Sequence, residues 1–340
     1  VLRIGIAFSL KPDDRGNGPD DRFEEFDKPE TIEAIAEAIR ADGHDVSLIG
    51  DGRDFLTRML ADPPHFVFNI AEGQGANRDR EARVPSVCAM LGVPYSGSDP
   101  FTLCATLDKD VARVLVSSRG GLCPDGFVLA PGAHLGDVEY RASLLLDDSA
   151  SGRVILKPNL EGSSKGIRGD CLASSVEDAV TLFQRLARDY AQPVLMEDFI
   201  DGDEVTVGVI GNGDEAEVLG IMRIAPKSAE GPFVYSLDVK RDWQRRVSYE
   251  TPAALSPGAI ETLSEAALLA YAALACRDVA RIDFRIHDDS PHFLEANPLP
   301  GLAPVTSDLV ILAEGYGVSH GELVRKILRA ALARVGLAGS

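Results

Sequence analysis

The chain has 340 residues, with 34 basic and 53 acidic side chains, a formal net charge of −19 and 45% hydrophobic residues. So acidic a balance excludes a general nucleic-acid surface, which needs clustered Lys and Arg, while the apolar content suffices for two or three cores. The 5 cysteines are scattered without a CxxC pair, no apolar run is long enough to span a membrane, and no signal peptide is recognisable. A soluble cytoplasmic protein is therefore expected, with reduced cysteines and neither nucleic-acid nor membrane partners.

Leu2, Ile4, Ile6 and Phe8 alternate with smaller or polar residues and predict a first strand. No GxGxxG follows it, so a dinucleotide fingerprint is absent. Residues 11–27 are polar and contain glycine, and are expected to form a mobile surface loop. Pro29 opens a helix with Ile32, Ile35, Ala36 and Ile39 on one face, ending at Gly43. A strand at 46–49, a helix carrying Phe55, Leu56, Met59 and Leu60, and a strand at 66–70 complete a βαβαβ pattern. That pattern predicts an open parallel sheet with helices on it.

Residues 69–83 leave the end of the third strand, where open α/β sheets commonly bind ligands. Arg78, Arg80, Glu81 and Arg83 there suit a charged substrate, although such a charge run equally fits a solvated helix face. Helices are predicted at 85–91 and 106–119, the latter carrying Lys109 early, and the break at 120–124 marks entry to a second domain. A strand at 154–158 then presents Lys157 to Glu161, Gly162, Ser163, Ser164 and Gly166. A lysine facing a Gly/Ser loop is a phosphate grip, whose N–H groups and hydroxyls fold over phosphate oxygens, though an ordinary turn has the same composition. It is not a Walker A loop, because GxxxxGK[ST] is missing.

A strand with Glu197 occupies 194–200, and Asn212-Gly213 marks a hairpin turn. Residues 226–246 form a long irregular segment with Tyr235, Lys240, Arg241 and Arg245, a candidate lid over phosphates. Helices follow at 256–276 and 318–335.

Between those helices, residues 281–301 read as two strands joined by a turn near Asp289. Pairing symmetric about Asp289 sets Asp283 opposite Glu295 and Arg281 opposite Asn297, all on one face. Ile282, Phe284, Ile286, Leu294 and Ala296 then take the core face. Directly opposite carboxylates, with Cβ atoms about 5 Å apart, repel unless a cation lies between them. Oxygen donors of this kind suit Mg²⁺ better than zinc.

The order Lys109, KPNLEGSSKG (157–166), MEDFIDGDE (196–204), ARIDF (280–284) and LEANPLPG (294–301) resembles the ATP-grasp superfamily. Within it, the chain is most similar to the D-alanine–D-alanine ligases. The resemblance implies an α/β protein, α+β in its C-terminal lobes, with an ATP-grasp fold behind an N-terminal open parallel-sheet domain. It implies three domains (1–108, 109–194 and 195–340), ATP and Mg²⁺ as cofactors, amino-acid substrates and a homodimer.

Residue by residue, the resemblance gives Lys109, Lys157, Glu161, Ser163, Ser164 and Gly166 to the ATP phosphates. Glu197, Asp198, Phe199 and Ile200 match the strand that reads adenine, and Glu204 the ribose acceptor. Asp283, Glu295 and Asn297 match metal ligands. Arg281, Gly301, Ser164, Tyr235 and Lys240 match groups around the reacting phosphate and the mobile loop. The implied reaction is ADP-forming: a carboxylate attacks the γ-phosphate, and an amine displaces phosphate from the resulting acyl phosphate.

Three elements depart from the family pattern. The HG..GEDG segment is replaced by residues 69–83, which have no histidine, and the glutamate usual after the first strand has no counterpart in AFSLKPDD. The serine that holds the second carboxylate is displaced, leaving Thr306 and Ser307 as the nearest hydroxyls. D-Alanine at both positions is the family default, with this region then only the start of a surface helix; in the alternative, Glu72 or Glu81 takes over the amine, Arg78 pairs a carboxylate, and other amino acids are the substrates. A non-catalytic nucleotide-binding regulator is the alternative from another class. It has no need of the full set Arg281, Asp283, Glu295 and Asn297.

Overall fold

The computed structural model describes residues 1–12, 19–228 and 231–338. Its first sheet is parallel, with Arg3–Phe8 between Asp45–Leu48 and Phe66–Ile70. The helix Pro29–Ala41 buries Ile32, Ile35, Ala36 and Ile39, as their spacing predicts. The core behind this sheet is completed from the far end of the chain. Leu309, Val310, Leu323, Ile327 and Leu328 pack with Ile4, Ile6, Ile35 and Phe68.

The second sheet is antiparallel, in the order Gly126–Leu129, Val194–Asp198, Val154–Pro158 and Leu172–Ala173. Helices Leu135–Asp148 and Val176–Tyr190 cover it through Val138, Ala142, Phe183 and Leu186. The third sheet has five antiparallel strands: Val247–Glu250, Glu217–Pro226, Asp203–Gly211, Asp278–His287 and Ser290–Asn297. Helices Lys109–Ser117 and Pro257–Ala273 pack on it. The strand Val194–Asp198 thus lies wholly in the second sheet, although the expected boundary at 194/195 runs through it. The helix that begins at Lys109 buries Ala112 and Val116 against the third sheet, not the second.

Other expectations need correction. The helix expected over 106–119 is two, Pro100–Leu107 and Lys109–Ser117, because Asp108 leaves helical geometry (φ −84°, ψ 96°) and caps the second with its side chain. The strand Gly126–Leu129 and the helices Leu135–Asp148 and Asp308–Gly315 were not expected. The lid segment holds two short helices, Leu237–Arg241 and Trp243–Arg246, with residues 229–230 outside the described set. Residues 13–18 of the expected surface loop also lie outside it, but Asp21 is fully buried and the Glu25 side chain is 4% exposed. Among the described residues no helix is long and apolar enough to cross a membrane.

Candidate active site

The hairpin pairs as the residue count predicts: Arg281 faces Asn297, Ile282 faces Ala296 and Asp283 faces Glu295. A register shift between Asp283 and Phe284 then puts Phe293, not Leu294, opposite Phe284. One inserted residue reverses alternation beyond it. Phe293 joins Phe284 in the core, edge to face at 6.1 Å, whereas Leu294 turns to the functional face and lines a cleft. Expecting Leu294 in the core was therefore wrong.

The functional face is tightly paired. Arg281 donates to Asp283 through Nε at 3.0 Å and Nη2 at 2.8 Å, and its Nη1 lies 3.4 Å from Asp308. Thr206, opposite Asp283 on the neighbouring strand, donates to Asp283 Oδ1 at 2.5 Å. The Asn297 amide donates to Asp283 at 3.2 Å, and Lys109 Nζ lies 2.8 Å from Glu295 Oε2. Burial alone would raise the Glu295 carboxyl, but Lys109 and then Arg281 and Lys240 outweigh it and hold it well below the usual range. Burial works against the Arg281 charge as well, and Asp283, Asp308 and Glu295 outweigh it and raise its pKa. Glu295 thus keeps its charge through the cations against it.

This face looks into two chambers. The narrower lies between the second and third sheets, lined by Lys157, Ser164, Glu197, Asp198, Ile200 and Glu204 from the expected nucleotide set, with Asp283 and Leu294. Lys157 and Glu197, on neighbouring strands of the second sheet, pair side by side in its wall, and the chamber holds about 70 Å³. Glu204 accepts from the Tyr235 amide at 3.1 Å and from Arg285 at 3.0 Å, and burial raises its pKa. Asp198 Oδ1 is buried without a hydrogen-bond partner, an acceptor left for a ligand's donor. Phe199 does not line the chamber; it packs on Cys171 and Ile155, with the Arg285 guanidinium 4.5 Å above its ring.

The larger chamber, about 900 Å³, lies between the first and third sheets and includes Glu72, Glu81, Lys109, Ser163, Arg281, Gly301, Thr306 and Ser307. Tyr235, Lys240, Glu295 and Asp308 line both chambers and mark their junction. There the Tyr235 hydroxyl donates to Asp308 at 3.0 Å and meets the Tyr249 hydroxyl at 2.5 Å. Lys240 lies 4.8 Å from the Tyr235 ring centroid and 3.9 Å from Asp308. A side chain at Gly301 would bring Cβ to 2.9 Å from Ser307 Oγ, so only glycine keeps this stretch of backbone open to the cavity.

Other expected site residues lie elsewhere. Arg78 is largely exposed, reaches Asp108 at 3.4 Å and does not line the cavity, so it holds no substrate carboxylate here. Glu161 does line the larger chamber, with its carboxylate in a buried cluster with Lys165, Arg80 and Gln192. The Gly166 amide donates to Asp21 at 3.0 Å, which removes it from the phosphate cradle. A Cβ on Gly166 would also meet Pro158 Cγ at 2.4 Å, so the glycine is needed for packing.

Glu72 and Glu81 do face the cavity. Burial, then the Arg80 guanidinium in opposition, sets the Glu81 carboxyl at about 7. Burial and the neighbouring Glu81 push Glu72 well above its usual range. Sequence reasoning missed Asp308, Thr206, Glu25 and Lys165. Asp308 and Lys165 had nearby signals, Asp308 standing directly after Thr306 and Ser307 and Lys165 between Ser164 and Gly166.

Three sheets with a carboxylate hairpin at the junction of two chambers define an ATP-grasp protein. The family model "D-ala D-ala ligase C-terminus" matches residues 148–329. The D-alanine–D-alanine ligase of Gluconobacter oxydans is 31% identical over 307 residues, covering 89% of this chain and 93% of the relative. An uncharacterised protein, y4sG of Sinorhizobium fredii, is 29% identical over 87% of this chain and 85% of its own. Among solved structures, the ATP complex of D-alanine–D-alanine ligase from Bacillus anthracis covers 100% of both chains at 20% identity, with a TM-score of 0.71. VanG D-Ala:D-Ser ligase from Enterococcus faecalis matches at 20% identity with a TM-score of 0.69, over 97% of this chain and 99% of its own. The chain belongs to the D-alanine–D-alanine ligase family.

Proposed function

We propose that this chain is an ATP-dependent, ADP-forming ligase that joins the carboxylate of one amino acid to the amine of another through an acyl phosphate. The observation that carries it is the placement of Asp283 directly opposite Glu295, beside Arg281 and Asn297, where the two chambers meet. In this reading the narrow chamber takes ATP. Lys157 and Lys109 meet its phosphates with Ser163 and Ser164, Glu197, Asp198 and Ile200 read the base, and Glu204 takes the ribose.

Asp283, Glu295 and Asn297 are hard donors that already demand positive charge from Arg281 and Lys109, so they fit Mg²⁺. When bound there, Mg²⁺ neutralises phosphoryl oxygens. Arg281 and the Gly301 amide face the oxyanion that develops as the amine attacks; losing such a donor typically costs about 10²–10³ in rate. Tyr235 holds Asp308 at the junction, and Lys240 brings a cation toward the transferred phosphate, with residues 231–246 closing over it. The reading includes a cytoplasmic homodimer.

D-Alanine at both positions follows the relatives. A second reading, with another amino acid at one position, is favoured by Glu72 and Glu81 in a cavity wall without histidine. These carboxylates suit an ammonium group, and Thr306 and Ser307 a carboxylate. Comparing kcat/KM for D-alanine with a panel of L- and D-amino acids separates the two readings. Clear preference for D-alanine at both positions removes the second. Preference for another amino acid removes the first.

A further inference from the structure

Glu25 stands where the first sheet's domain meets the loop at residues 160–166. Its Oε1 accepts from the Gly162 amide at 2.7 Å, and its Oε2 from Lys165 Nζ at 2.6 Å. Arg80 Nη2 donates to both oxygens, at 3.0 and 3.1 Å. Arg80 is itself 1% exposed and sends Nη1 to the Leu160 carbonyl at 2.8 Å. Each member of this buried ion pair therefore also grips a backbone group of the loop. Burial would raise the Glu25 carboxyl, but Lys165 and Arg80 outweigh it and hold it at about 2, so the pair is charged. Asp21 ties the loop's other end, accepting from the Gly166 amide at 3.0 Å and the Tyr190 hydroxyl at 2.7 Å.

Between the tied amides, Ser163 and Ser164 have φ of 50° and 58°. Two consecutive non-glycine residues in the left-handed region persist only where the surroundings over-determine them. Both serines face the chambers, Ser163 the larger, beside Glu161 and Gly162, and Ser164 the narrower. The loop's useful shape is its strained shape, and the restraints come from another domain.

We propose that Glu25 and Lys165 are positioning residues, which hold the strained turn at Ser163 and Ser164 in the shape that presents it to nucleotide and substrate together. The proposal rests on the ligase reading for its catalytic consequence. Glu25 also lines the larger chamber, so one carboxylate belongs to the substrate wall and to the loop that faces ATP.

Two variants of the full chain test this. Glu25→Gln keeps an acceptor for the Gly162 amide but removes the charge facing Arg80 and Lys165. Lys165→Met keeps the stem and removes the ammonium. Hydrogen exchange is followed at residues 160–167 and, as an internal reference, in the helix Pro257–Ala273. Each variant is expected to accelerate exchange of the loop by about tenfold or more while the helix changes by less than about twofold. With Mg-ATP and D-alanine, kcat should fall by about 30-fold while the Kd of Mg-ADP moves by less than about threefold, since misplacement by about 1 Å costs up to about 10²-fold. The double variant should be no worse than the worse single, because both act through one pair. Unchanged loop exchange in both variants overturns the proposal, as does acceleration spread equally over loop and helix, which makes the pair merely structural. If Glu25→Gln does not fold, Lys165→Met decides by the same outcomes. If the parent releases no ADP, the ligase reading fails while loop exchange still decides the positioning claim.

Discussion

Replacing Asp27 with asparagine tests how the cavity's electrostatics bear on stability. The Asp27 backbone is secured: its N–H donates to the Ser9 carbonyl at 3.0 Å, and its carbonyl accepts from Lys11 at 2.9 Å. No described residue donates a hydrogen bond to its carboxylate, and burial pushes the carboxyl from 3.8 up to about 7. A carboxyl whose folded pKa exceeds its unfolded value favours folding when protonated. Its contribution is full below 3.8 and lost as pH rises to about 7. Asparagine is neutral throughout, so Asp27→Asn should stabilise at high pH. At 1.36 kcal/mol per unit the shift corresponds to about 4 kcal/mol at pH 8, which solvent entering the cavity reduces to about 2. At about pH 5 the advantage should be under half of that. Urea unfolding of parent and variant at both pH values, followed by fluorescence of the 1 tryptophan, gives the difference. A variant no more stable at pH 8, or an advantage independent of pH, refutes the reasoning.

The remaining predictions concern the hairpin and the junction between domains. Asp283→Asn and Glu295→Gln should each lower Mg²⁺-dependent ADP release by about 10²-fold or more in protein that still folds, with a lower urea midpoint because Arg281 or Lys109 loses its charged partner. Leu294→Ala should raise KM for ATP about three- to tenfold with little loss of stability, because Leu294 faces the narrower chamber, which takes ATP in the proposed reading. Phe293→Ala, at a residue 1% exposed, should cost about 3–5 kcal/mol in urea unfolding. Asp278 is fully buried and accepts from the Gly97 amide at 2.7 Å and from Arg334 at 2.8 Å. Asp278→Ala should cost about 3–5 kcal/mol while leaving kcat per folded molecule unchanged, because it breaks a buried ion pair that lines neither chamber.

The catalytic hairpin was legible because strand periodicity turns a residue count into a geometry. Once the turn was set at Asp289, the pairing of Asp283 with Glu295 followed. The bulge was not legible, since nothing in Phe293-Leu294-Glu295 marks which of two apolar residues faces the core. Glu25 was hidden for a related reason. It lies in a polar stretch that reads as loop, and its burial depends on Arg80 and Lys165, 55 and 140 residues away. Arg78 and Arg80 were indistinguishable in the same charge run, yet one is exposed and the other is 1% exposed. Local composition identifies charged residues, but only tertiary partners decide which are buried. The helix that begins at Lys109 shows the same limit: its apolar face predicts burial without saying on which sheet.

The central claim, acyl-phosphate chemistry at the hairpin, is tested most directly by identifying the products of ATP turnover. Parent protein is incubated with Mg-ATP and D-alanine, then with each member of an amino-acid panel, and phosphorus species and amides are quantified together. The account predicts ADP and inorganic phosphate in equal amounts, matched one to one by new amide, with no AMP. AMP and pyrophosphate as products, or bound ATP that is not turned over with any amino-acid pair, would contradict it.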